Sequence, residues 1–165
     1  VCRRETFIGP SPVNSGAYDL TQIIGPSVPL MRDDELWFYY SGLKYRDDYP
    51  AGFKKDADGS AICLAVLRRD GFVSLDAGEE EGVLVTAAFA AAGTTLCANI
   101  NAPGSLSVEV LDEDGTVLAL SHPQEGDRLR GAFDWKNGSW AGLEGRTVSL
   151  RFRARRAQFY SYWIE

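Results

Sequence analysis

Two kinds of hydrophobic pattern meet in this chain, at residues 67–82, Leu-Arg-Arg-Asp-Gly-Phe-Val-Ser-Leu-Asp-Ala-Gly-Glu-Glu-Glu-Gly. Beyond this seam apolar and polar residues alternate in short runs, the period of half-buried β-strands. Gly82–Ala88 reads as one strand. Leu96–Ile100 and Leu106–Leu111 read as two more, and Ala102-Pro103-Gly104 between them reads as the turn of a hairpin. Asp112-Glu113-Asp114-Gly115 is the next turn, with Val117–Leu120 returning from it. Arg130–Trp135, Thr147–Arg153 and Gln158–Ile164 supply three further strands, and Glu125-Gly126-Asp127 and Asn137-Gly138-Ser139 read as loops. Trp140 and Leu143 lie in a connection and are expected to cap the end of the domain. No helical period of useful length occurs. The pattern predicts an antiparallel β-sandwich of jelly-roll type with about eight strands.

Before the seam the pattern changes. Residues 9–29 carry Gly9-Pro10-Ser11-Pro12, Gly25-Pro26 and Pro29 and read as extended, turn-rich chain. Asp33-Asp34 turns into Glu35-Leu36-Trp37-Phe38-Tyr39-Tyr40-Ser41-Gly42, a strand that is apolar and aromatic on both faces. Residues 44–60 are polar, and Ala61–Leu67 follows with no polar face. Strands of this kind are ordinarily covered from both sides. A β-propeller blade stacked between neighbours is one such arrangement. No internal repeat occurs, so at most one blade is present. Its apolar faces call for the sandwich or a second copy of the chain as cover, which predicts a homo-oligomer. The organisation expected is an all-β protein: an N-terminal part over residues 1–66 and a sandwich over residues 67–165.

Composition bounds the function. The chain has 165 residues, 45% hydrophobic and 24% charged, which suits a globular protein with a sizeable core. Its net charge of −6 argues against a nucleic-acid partner. Arg151, Arg153 and Arg155 alternate with apolar residues and, with Arg156, read as a solvated strand face. No apolar run approaches the roughly 20 residues needed to span a bilayer, so no membrane partner is expected. Val-Cys-Arg-Arg-Glu-Thr has no apolar stretch behind it, unlike a signal peptide. The chain opens on Val1 rather than Met, and an upstream portion is expected. Three cysteines, Cys2, Cys63 and Cys97, are too scattered for a disulfide framework or a zinc site. The compartment is left open.

The chemistry-bearing residues are few. Asp112–Gly115 matches half of a calcium loop but lacks the distal glutamate, so a hairpin turn is expected. No cofactor is expected, a structural calcium being the one metal left open. Glu79-Glu80-Glu81 reads as a solvated loop, and His122, the single histidine, as a surface residue at a turn. Sugars stack on aromatic faces, so exposed tyrosines are the remaining candidates. Tyr18 with Asp19, and Tyr45 with Tyr49, are the candidates for contact with carbohydrate.

Several of these runs together resemble one family. Asp34–Gly42, Ala61–Leu67 and the seam Arg68-Arg69-Asp70-Gly71-Phe72-Val73-Ser74-Leu75-Asp76-Ala77-Gly78 are similar to the end of glycoside hydrolase family 32-like proteins, five-bladed β-propellers. In these the last blade runs through such a seam into a C-terminal β-sandwich. Leu106–Asp112, Trp135-Lys136, Leu143–Phe152 and Ala157–Tyr162 resemble that sandwich. The resemblance covers roughly residues 15–165, and the seam is its most specific part. It implies that residues 1–66 correspond to a terminal blade. It also implies that catalytic carboxylates belong to earlier blades, so no residue here inherits a catalytic role. The expected function is that of a non-catalytic sandwich portion of a glycoside hydrolase-like protein, serving support, oligomerisation or weak carbohydrate contact. The alternative is a self-contained carbohydrate-binding module. An independent glycosidase is the least favoured reading, because no catalytic constellation stands out.

Overall fold

The computed structural model describes residues 6–25, 28–47, 50–52 and 58–165. Among these residues the regular structure is β-strand, apart from one 3-10 turn at Trp140–Gly142, and the strands pair antiparallel. The protein is all-β. It divides into two compact units, Val1–Arg69 and Asp70–Glu165.

The first unit is a single sheet of β1 (Gln22–Ile24), β2 (Leu30–Arg32), β3 (Glu35–Leu43) and β4 (Ser60–Arg68). β3 is its centre. β4 pairs along its whole length, from Glu35↔Arg68 to Leu43↔Ser60. β1 and β2 share the opposite edge, at Ser41–Leu43 and Glu35–Trp37. The turn from β2 into β3 runs through Asp33 at φ 53°, a left-handed position that Asp tolerates.

Leu36, Phe38 and Tyr40 project from one face of β3 and are buried. Phe7 packs edge-on against Phe38 at 5.2 Å, and the Tyr40 hydroxyl donates to Asp19 Oδ2 at 2.7 Å. Gly42 lies beneath Asp19, and a Cβ there would meet the Asp19 backbone and side chain at about 3 Å. The segment before β1 therefore crosses this face, and the lack of a side chain at Gly42 lets it approach.

The opposite face differs from the sequence expectation. Trp37 and Tyr39 share it with Ile62, Leu64 and Val66 of β4, and Ile62 is 72% exposed. The strands are apolar on both faces, but the described residues of this unit cover only one.

The second unit contains β5 (Leu75–Ala77), β6 (Gly82–Val85), β7 (Phe89–Ala90), β8 (Leu96–Leu111), β9 (Val117–Ser121), β10 (Gln124–Ala132), β11 (Trp135–Asn137), β12 (Thr147–Arg155) and β13 (Ala157–Ile164). Its organising element is β8. The first half of β8 pairs with β13 on one side and β10 on the other; the second half pairs with β12 and β9. β5 extends the sheet beyond β13, β6 extends it beyond β12, and β11 extends it beyond β9.

Even-numbered residues of β8 face the core in both halves: Leu96, Ala98 and Ile100, then Leu106, Val108 and Val110. Phe152 of β12 joins the halves, with ring centroids 4.7 Å from Phe159 and 6.3 Å from Phe133. The sheet thus folds over on itself into a β-sandwich around one apolar core. Trp140 and Leu143 belong to that core, and the Trp140 indole N–H donates to the Ala92 carbonyl at 3.1 Å.

The expected hairpin around Pro103 is absent, and residues 96–111 form one strand instead. Pro103 has no N–H to contribute to a ladder. It falls between the β13 pairing, which ends at Asn101↔Gln158, and the β12 pairing, which begins at Ser105↔Arg155. Beside it Gly104 donates to the Arg156 carbonyl at 2.9 Å, and a Cβ at Gly104 would collide with the Arg155 carbonyl oxygen.

Other boundaries shift for similar reasons. Glu125-Gly126-Asp127 is not a loop but part of β10, whose register slips between Gln124 and Gly126. The strand expected over Arg130–Trp135 is the end of β10 and the start of β11, interrupted at Phe133-Asp134. Gly82–Ala88 ends as a strand at Val85, where the Thr86 hydroxyl accepts from the Leu150 N–H.

Candidate functional site

Of the residues singled out in the sequence, Tyr18, Asp19 and Tyr45 are described, and all three lie in the first unit. Tyr18 is partly exposed, with the Lys44 ammonium 4.3 Å from its ring centroid. A cation so placed covers one aromatic face. Asp19 was expected to be exposed but is only 7% so, and its carboxylate accepts from Tyr40. Burial pushes the Asp19 carboxyl up, but hydrogen bonds from Ser11 and Tyr40 outweigh it and hold the group below its ordinary value. Asp19 anchors the crossing segment. Tyr45 is half-buried, and Tyr49 lies outside the described residues.

The weaker motifs resolve as local structure. Asp112 Oδ1 accepts from the backbone N–H of Asp114 at 3.0 Å and of Thr116 at 2.8 Å, an Asx-type turn between β8 and β9. His122 is exposed, and its backbone N–H donates to the Asp134 carbonyl. Among the described residues no group of three or more His, Cys, Asp or Glu side chains is placed to hold a metal ion. The arginine face of β12 is an ion-pair ladder. Arg151 closely pairs with Glu109, and Arg153 bridges Glu109 at 3.3 Å and Glu81 at 2.6 Å.

A polar constellation does form on the outer face of the sandwich, and the sheet register builds it. Asp76 on β5 pairs with Gln158 on β13, Gln158 pairs with Asn101 on β8, and Asn101 pairs with Asp127 on β10. Directly paired antiparallel residues point to the same side. Four polar side chains from four strands therefore stand in one row across the sheet.

Asn101 Nδ2 donates to Gln158 Oε1 at 3.3 Å, and the Tyr160 hydroxyl donates to the same oxygen at 3.2 Å. Two donors on Oε1 settle the orientation of that amide and leave its NH2 as a donor. Tyr160 stands on the same side as Gln158 because it is two residues further along β13. Arg156, at φ 43° in the turn between β12 and β13, lies at the margin. The row borders an open depression of about 280 Å³ lined by Asp76, Asn101, Arg156, Gln158 and the Pro103 corner.

No family model, curated protein or solved structure matches the chain.

The site therefore rests on its own chemistry. A carboxylate, two amides and a guanidinium line the depression, the Tyr160 phenol bonds to one of those amides, and together they offer both donors and acceptors, the mixture that polyhydroxylated ligands engage. A second cavity of the same unit, about 290 Å³, opens between the β5 and β6 edges. Its walls are apolar, Leu75, Val83 and Leu84, and its floor reaches Leu106, Phe152 and Phe159. Among the described residues Asp76 is the one ionisable side chain in its lining, so it offers little basis for polar chemistry.

Sequence reading missed the row because each member looks like an ordinary outward-facing polar residue. Asn101, Asp127 and Gln158 are far apart in the chain, and only the strand order joins them. The one local signal was amide residues at alternate positions, Asn99 and Asn101, in a strand otherwise destined for the core.

Proposed function

We propose that the sandwich is the non-catalytic, carbohydrate-contacting portion of a glycoside hydrolase-like protein, with the row Asp76–Gln158–Asn101–Asp127 as its contact surface. The resemblance of the seam and of the closing strands supports the protein class. The row supports the role, through the spacing of its two carboxylates. Asp76 and Asp127 stand on strands three positions apart. At ~4.8 Å per strand they are separated by about 14 Å at the backbone. Hydrolysis of a glycosidic bond needs carboxyl groups roughly 5–9.5 Å apart. This row can hold a sugar but is too wide to place an acid and a base across one bond. At about 280 Å³ the depression is small beside the roughly 300–1,000 Å³ of a typical ligand pocket, which favours weak contact.

Titration calorimetry of the whole chain against a panel of neutral and acidic oligosaccharides tests the reading. Saturable binding to at least one sugar is expected, weakened roughly tenfold by Gln158→Ala or Asn101→Ala, the effect of one or two lost hydrogen bonds. Flat titrations across the panel would remove carbohydrate contact. Glycosidase turnover abolished by a single carboxylate substitution would overturn the non-catalytic role. The second reading, a self-contained binding module, is favoured by the sandwich having its own continuous core. It expects residues 70–165 alone to bind with the affinity of the whole chain.

A further inference from the structure

The exposed face of the first unit's sheet is ordered in rows by the strand register. Tyr39 and Leu64 form the middle row. On one side of it lies Leu30–Trp37–Val66, and on the other Ile24–Ser41–Ile62. The rows beyond these are polar or mixed: Arg32–Glu35–Arg68 at one end, Gln22–Leu43–Ser60 at the other. Ile24, Leu30, Ile62 and Val66 are each at least half exposed, and Tyr39 and Leu64 nearly so. A surface on the order of 600 Å² is at the upper limit of the apolar patches that monomers present. It also approaches the roughly 800 Å² per partner of a stable interface. An apolar centre between polar rims is the anatomy of such an interface.

We infer that this face packs against the same face of a second copy of the chain, about a two-fold axis that lies across the strands at the Tyr39–Leu64 row. The order of the rows carries the choice of occupant. That axis reverses the strands, so each row meets the row on the far side of the centre. Trp37, the bulkiest side chain of β3, then lies over Ser41 of the second copy, the smallest on this face of the strand. Leu30 meets Ile24, and Val66 meets Ile62. The charged row Arg32–Glu35–Arg68 meets Gln22–Leu43–Ser60, so arginine does not oppose arginine.

Within each copy Arg32 stacks on Trp37 with its guanidinium carbon 4.5 Å from the ring. The Trp37 indole N–H donates to Glu35 Oε2 at 2.7 Å. These contacts hold the indole in place before association, which lowers the ordering cost. Such an interface is isologous and closes as a dimer rather than growing into a filament. It is independent of the sugar reading, because it uses none of the sandwich residues.

Sedimentation equilibrium of the whole chain tests it, with Leu64 as the probe because this geometry sets it against its own copy. The native chain is expected to be dimeric on the order of 100 μM, where an interface of this size is populated. Leu64→Glu and Leu64→Lys are each expected to be monomeric, because each sets like charges face to face. Mixing the two is expected to restore a one-to-one dimer. Leu64 is 40% exposed, so both variants should keep the native melting behaviour; should either not fold, Ile62→Glu, at a 72% exposed position, replaces it in the dissociation test. A monomeric native chain overturns the proposal. So does a dimer that survives Leu64→Glu, or a mixture that stays monomeric.

Discussion

Tyr40 and Asp19 show how one hydrogen bond ties a strand to the segment crossing it. The bond to Asp19, with burial and the negative charge beside it, pushes the Tyr40 hydroxyl up to about 12. The folded chain therefore holds this proton more tightly than the unfolded one. Its stabilisation is complete below the ordinary value of 10.0 and is lost as pH rises from there toward about 12. Alkaline melting curves should show that loss. Tyr40→Phe should abolish it and cost roughly 1–3 kcal/mol at neutral pH, because a buried carboxylate loses a donor. An unchanged alkaline limb in Tyr40→Phe would place the effect elsewhere. Glu109 works in the opposite sense. Burial raises its carboxyl, but hydrogen bonds from Arg151 and Arg153 outweigh that and hold it below the ordinary 4.5. Its contribution is present above that value and fades as pH falls through it. Glu109→Gln should flatten the acid limb of the stability profile between pH 4.5 and lower values.

At the scale of elements, β8 determines the sandwich. Its sixteen residues keep one parity toward the core through the corner, so a single strand serves both halves of the sheet. The corner depends on Gly104, which passes against the Arg155 carbonyl, and on Pro103, which needs no ladder partner there. Gly104→Ala should therefore destabilise the sandwich by about 1–3 kcal/mol, the usual cost of overpacking, as read by denaturant titration. A neutral effect would mean that the corner yields easily. Alternation of apolar and polar residues was enough to place β9, β12 and β13 within a residue or two of their ends, and continuous apolar runs placed β3 and β4 as closely. It failed at 96–111, because Pro and Gly signal a chain reversal in isolation, whereas here they mark a change of partners. It failed again at Glu125–Asp127, where a glycine-containing polar run is the bulged start of an edge strand.

For the molecule as a whole, functional surfaces are where sequence reading was least informative. Tyr18 with Asp19, and Tyr45 with Tyr49, read in the sequence as exposed aromatic and acidic residues, yet Asp19 is buried and bonded to Tyr40. The row Asp76–Gln158–Asn101–Asp127 draws on residues separated by up to 82 positions, an order that no local pattern encodes. Composition and periodicity by themselves determined that the chain is all-β and antiparallel, because a period of two admits no other half-buried structure. They also determined that 35–42 and 61–67 are apolar on both faces. Tertiary structure alone decided which of those faces the described residues of the first unit cover. It alone decided where β8 folds over and which polar residues meet across the outer sheet. The reason is physical: alternation sets which way a side chain points, but strand order and register set what it meets.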